Sequence, residues 1–218
     1  MSTANNYKSH DFHKYVFWLY GVIIGLVIKD AISKTLPHIL MSSDMEPKGS
    51  FTEAARLFVT LFLVIRFYLG SAIYFEDTYY NSENNMQLSG KDYMFDFLFG
   101  FIHFLFFFGL VETIDVHNRP ARAFLIMLAV ILLYDIIWYL ICRKRDHKRL
   151  VLMWTGVNVF TCILGGLIYF MSTYFHMSEL HSQAIALIPV VIFSIIDMAE
   201  LVTGKRIISS WLTKMIPP

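Results

Sequence analysis

The chain alternates long apolar runs with short polar connections, and the run Leu57 to Phe75, LFVTLFLVIRFYLGSAIYF, shows the pattern in its sharpest form. It is long enough to cross a bilayer, yet it carries Arg66 near its centre. An arginine at that depth costs about 2.5 to 3.5 kcal/mol on insertion scales, and each Leu, Ile, Phe or Val returns about 0.3 to 0.6 kcal/mol. The dozen such residues in the run outweigh the arginine, so the segment inserts. Inside the membrane the guanidinium then needs a carboxylate, a polar cavity or a lipid headgroup.

The same pattern predicts six membrane spans, at about 15–36, 54–76, 94–115, 120–142, 149–174 and 183–204. The expected fold is all-α: a polytopic membrane protein, 1–218 forming a single transmembrane helical domain, with six helices in one bundle. The connections are too short to hold a separate soluble domain. The tail KRIISSWLTKMIPP sets Ile207, Ile208, Trp211, Leu212 and Met215 against Lys205, Arg206, Ser209 and Lys214, which predicts a short C-terminal helix lying in the interface.

Composition agrees with the pattern. Of 218 residues, 56% are hydrophobic and 16% charged, and the mean hydropathy is +0.55, well above the norm for soluble domains. A formal charge of +1, with basic residues grouped by topology, gives no nucleic-acid binding face. Lys and Arg in RKRDHKR (143–149) and in the C-terminal tail assign those segments to the cytoplasm, and with six spans both termini lie there. The acidic loop 77–92 would then also be cytoplasmic. Absence of an N-x-[ST] sequon agrees with an integral protein of a bacterial inner (cytoplasmic) membrane.

Candidate chemistry lies in the ionisable residues within spans. If spans two, four and six run in one direction, Arg66, Asp135 and Asp197 share a depth to within about one turn. They form an expected intramembrane charge cluster or pathway, with Glu200 one turn farther on. His103, flanked by six phenylalanines from Phe99 to Phe108, and Asn158 are polar residues at mid-membrane. Lys29, Asp30, Glu112 and Asp115 mark a possible outer mouth, the last two one turn apart on span three. Gly21, Gly25, Lys29 and Ser33 share a face of span one that reads as a helix-packing face. On span five, Asn158, Cys162, Gly165, Gly166 and Tyr169 form a small, polar face suited to the interior.

Two readings of the charge cluster stay open: a buried pair that fixes helix register, or a path for a cation or proton. The first-choice function is a small, oligomeric membrane channel or transporter for ions, protons or a small solute. The alternative is a membrane-embedded sensor, scaffold or effector subunit, as in a bacterial defence or signalling system, with a soluble partner at loops 77–92 and 143–149. No HExxH, CxxC, GxSxG, P-loop or dinucleotide fingerprint occurs. The expectation is accordingly no enzyme, no catalytic residue, no cofactor and no metal; the partners are the lipid bilayer, further copies of the chain and no nucleic acid.

Overall fold

A computed structural model describes residues 3–41, 47–79, 90–115, 120–141 and 148–203. These form α1 (Thr3–Met41), α2 (Pro47–Tyr79), α3 (Gly90–Val111), α4 (Ala121–Ile141), α5 (Lys148–Tyr174) and α6 (Glu179–Thr203). The described residues contain no strand. Five helices carry stretches long and apolar enough to cross a membrane: Phe51–Glu76, Tyr93–Val111, Arg122–Ile141, Trp154–Tyr174 and Glu179–Glu200. Helix α1, the longest of the six at 39 residues, carries Lys29, Asp30 and Lys34 in its second half and is not among the five found within the described residues. The interfacial helix expected at 205–215 lies outside the described residues, as do most of the 77–92 and 143–149 loops.

Several boundaries differ from expectation for local reasons. Helix α1 continues through Pro37 to Met41; a proline this near a helix end disturbs only the last turns. Helix α3 stops at Val111, where the amides of Thr113 and Ile114 fold back onto the carbonyls of Leu110 and Val111 at 2.9 and 3.1 Å. Glu112 and Asp115 therefore occupy a turn rather than successive turns of span three, and they diverge. Between α5 and α6, His176 takes a left-handed conformation with φ 58°, and the amides of His176 and Met177 close on Thr173 and Ser172 at 3.0 and 3.1 Å. This is the helix-ending geometry usually made with glycine. Ser178 then caps α6, its Oγ accepting from the His181 amide at 3.4 Å.

Neighbouring helices pack with α2 against α1, α3 and α6, and with α4 against α3, α5 and α6. Contacts along their lengths give the directions. On α2, Arg56 meets Gln183 of α6 and Arg66 meets Asp197, so α2 and α6 run the same way. Helix α3 runs opposite to α2, because Arg56 reaches Thr113 whereas Tyr74 reaches Asp96. Arg56 over Phe124 and Tyr74 against Trp138 align α4 with α2.

The distribution of side chains is that of a membrane-embedded protein. Ile65, Ile102, Ile126, Ile137, Ile163 and Ile192 face outward, whereas Arg56, Arg66, Asp96, Asp135, Asn158 and Asp197 are buried. A soluble domain has the reverse arrangement. At one end of the bundle the interior is aromatic: Tyr20 stacks on Phe97 at 5.7 Å, lies 5.0 Å from Phe104, and donates its hydroxyl to the Phe97 carbonyl at 2.7 Å. The face bearing Gly21, Gly25, Lys29 and Ser33 does not pack inside the bundle. A methyl group on either glycine would meet nothing within 4 Å, and α1 instead buries Tyr20, Ile23, Ile24, Val27 and Ala31. Larger side chains bury more apolar area, so they take the inward face.

Candidate functional site

Arg66 reaches the interior because α2 directs one stripe inward: Arg56, Val59, Thr60, Leu63, Arg66, Gly70 and Tyr74 recur at helical spacing. Its Nε donates to Asp197 Oδ2 at 2.5 Å, and the two side chains are 5% and 3% exposed. The guanidinium also lies 5.4 Å from the centre of the Phe67 ring, within cation–π range. This is a charge-assisted bond shielded from bulk solvent, where removing either partner is costly.

Asp135 stands beside this pair without bonding to it directly. Its Oδ2 accepts from Asn158 Nδ2 at 2.6 Å, its carbonyl accepts from the Thr155 hydroxyl at 3.3 Å, and its charge is coupled to Arg66 and Asp197. His103 Nδ1 is 3.6 Å from Asp135 Oδ1, beyond hydrogen-bonding reach but close enough for a small shift or a bridging water to join them. Phe67 holds the imidazole edge-on at 4.4 Å between ring centres. Thus α2, α3, α4, α5 and α6 all contribute a polar side chain to one centre.

A void of about 20 Å³ sits between the pieces, lined by Arg66, Gly70, Ser71, Asp135, Trp138 and Asp197 together with Phe67 and Trp154. A space of that size takes roughly one water molecule. Both indole nitrogens and Asp135 Oδ1 are buried without a protein hydrogen-bond partner, so the void is polar enough to hold one. Gly70 permits the close packing here: a methyl group on it would lie 3.2 Å from the Trp154 ring. Glu200 is buried three residues beyond Asp197 but does not line the void.

The residues expected to mark an outer mouth do not form one set. Lys29 is exposed and makes no ion pair among the described residues. Asp30 and Glu112 are instead joined through Lys34, which lies 3.0 Å from Asp30 Oδ2 and also pairs with Glu112. These groups are partly exposed, and such pairs contribute little. Asp115 belongs elsewhere, close to His38 and Glu53.

The larger surprise is Arg56, which is fully buried. Its Nη1 donates to the carbonyls of Thr113 at 2.9 Å and Ile114 at 3.1 Å. Its Nη2 and Nε both donate to Gln183 Oε1, at 2.8 Å and 3.2 Å, while Phe124 covers it at 5.4 Å. The guanidinium thus caps carbonyls just beyond α3, where the helix dipole favours a cation. The signal for it was present: Arg56 falls on the same inward stripe as Arg66. Its place near a span end, where arginine ordinarily meets the interface, conceals the burial.

Span five is inward at Asn158, Thr161 and Gly165. Thr161 and Gly165 also border a groove of about 260 Å³, together with Cys162, Gly166, Tyr169, Arg122 and residues of α4 and α6. Comparison of the chain with protein-family models, with curated proteins and with solved structures returned no match.

Proposed function

We propose that the chain is a small membrane transporter or channel that passes protons or a small cation through the centre formed by Arg66, Asp135, Asp197 and His103. The carrying observation is the charge balance around the void: one guanidinium faces two buried carboxylates, with an imidazole 3.6 Å from the nearer one. With both carboxylates ionised and the imidazole neutral, this centre has one excess negative charge in a low-dielectric interior, which a proton or other cation neutralises. Space for about one water favours transfer between adjacent groups over flow through an open pore. Asp135, at the edge of the void, supplies the acceptor and His103, which lies outside the lining of the void, the neighbouring titratable group; Arg66, held by Asp197, sets the potential.

The test is proton and cation flux into liposomes containing the purified chain. Flux is expected from the wild type, with strong loss in Asp135→Asn and in Arg66→Leu. If Arg66→Leu, Asp135→Asn and Asp197→Asn all conduct as the wild type does, the path is wrongly assigned. Close packing around the centre favours a second reading, in which the bundle is sealed and acts as a sensor or scaffold through a soluble partner. That reading predicts no flux and a stoichiometric partner recovered from native membranes.

A further inference from the structure

At the Arg56 end of the bundle, His38 near the end of α1, Glu53 in the first turns of α2 and Asp115 after α3 converge from three separate parts of the chain. One potential ligand atom from each lies within 4.8 Å of the other two, and His38 Nδ1 is 3.9 Å from Glu53 Oε1. We propose that these three residues form a binding site for a divalent transition-metal ion of the zinc class, independent of the central ionic centre.

The donor set supports this class. One imidazole and two carboxylates suit Zn²⁺ and its neighbours, whereas Ca²⁺ and Mg²⁺ sites are built from oxygen alone. Ligands about 2.0 to 2.2 Å from a tetrahedral metal stand roughly 3.3 to 3.6 Å apart, so closing the set takes about 1 Å of side-chain movement. His38 is half exposed whereas Glu53 is 2% exposed, so the movement falls to the imidazole. Three protein ligands leave a fourth position open to water.

Charge agrees with this assignment. Arg56 is a buried cation at this end of the bundle, and Glu53, Asp115 and Glu179 are all within its electrostatic reach. Its four hydrogen bonds nonetheless go to neutral oxygens of Thr113, Ile114 and Gln183 rather than to a carboxylate. A divalent cation held by Glu53 and Asp115 would lessen the repulsion between these carboxylates. A metal here would tie the end of α1 and the turn after α3 to the start of α2, the helix that carries both buried arginines.

The experiment is calorimetric titration of the full-length chain, purified in detergent with a tag free of histidine, using Zn²⁺ as probe and Co²⁺ absorption as a second readout. One saturable equivalent is expected, with affinity at least about tenfold lower in His38→Ala and in Asp115→Asn, as ligand loss requires. The control His176→Ala, which alters an exposed histidine between α5 and α6, should bind as the wild type does. These variants change residues that are not fully buried, and elution as a single species establishes their folding; Glu53→Gln is the third ligand variant. The proposal is overturned if the wild type binds no equivalent, or if His38→Ala and Asp115→Asn keep wild-type affinity. Flux through the central site is measured separately, so failure of either reading is visible without the other.

Discussion

Helix α2 buries two arginines ten residues apart, about 15 Å along the axis, and the bundle answers each differently. Arg66 is met by a carboxylate, Asp197; Arg56 is met by two backbone carbonyls and a side-chain amide. A guanidinium can thus be held inside a helical membrane protein in two ways. Near a helix end, unpaired carbonyls are at hand and the dipole supplies negative potential, so the hydrogen bonds are met by neutral oxygens. At mid-helix every carbonyl is already bonded along the axis, and only a side chain from another helix can respond. The first solution is satisfied and closed. The second leaves Asp135, His103 and a water-sized void beside it, the arrangement on which the proposed transfer rests.

The comparison can be broken most directly at Arg66. Arg66→Leu leaves Asp197 buried and unpaired, with an expected loss of about 3 to 5 kcal/mol in unfolding free energy measured in detergent. Replacing both partners, Arg66→Leu with Asp197→Leu, should recover most of that stability while flux stays absent. If the double variant is no more stable than the single, Arg66 and Asp197 are not an energetically coupled pair.

Arg56→Met comes next. It strips four hydrogen bonds from buried acceptors, and an expected cost of about 2 to 3 kcal/mol appears in the same unfolding assay. Flux per folded molecule should be unchanged, in contrast with Arg66→Leu. Arg56→Lys should recover only part of the loss, because an ammonium cannot span Gln183 and both carbonyls as the planar fork does. A flux defect in folded Arg56→Met would erase the proposed division between clamp and transfer site.

A smaller effect is expected at Gly100, where a methyl group would lie 2.6 Å from the Tyr20 hydroxyl. Gly100→Ala should displace that hydroxyl from the Phe97 carbonyl and cost about 1 to 2 kcal/mol, read as a lower melting temperature. Smallest of all is His176→Gly, which relieves the left-handed strain between α5 and α6 and should raise stability by up to about 1 kcal/mol. It touches neither arginine, so any change in flux would show that this link communicates with the centre.

Much of the helical layout is legible along the chain, since the five apolar stretches have the length and composition that a bilayer demands. The Arg66 centre is legible for the same reason. A charged residue deep in an apolar run must be answered, and Asp135 and Asp197 stand at comparable depth in runs of the same direction. The other end of the bundle is not legible in this way. Lys29, Asp30, Glu112 and Asp115 look alike as charges near a span end, yet Asp30 and Glu112 go to Lys34 while Asp115 joins His38 and Glu53. Their partners depend on where α3 stops and how its last turn folds, a matter of a residue or two that hydropathy does not resolve. The inward face of α1 is equally hidden, because small residues and large apolar ones both suit an interface, and packing against α2 and α3 decides between them.

By itself, the sequence determined that the chain is helical and membrane-embedded, and that Arg66 requires a partner from another helix. Those conclusions rest on transfer free energies that each segment has in isolation. Only the tertiary structure decided that Asp197 takes the guanidinium while Asp135 turns to Asn158, that Arg56 is buried at all, and that His38, Glu53 and Asp115 converge. These depend on the rotation and register of neighbouring helices, and a few degrees of rotation exchange one buried partner for another at almost no change in hydropathy.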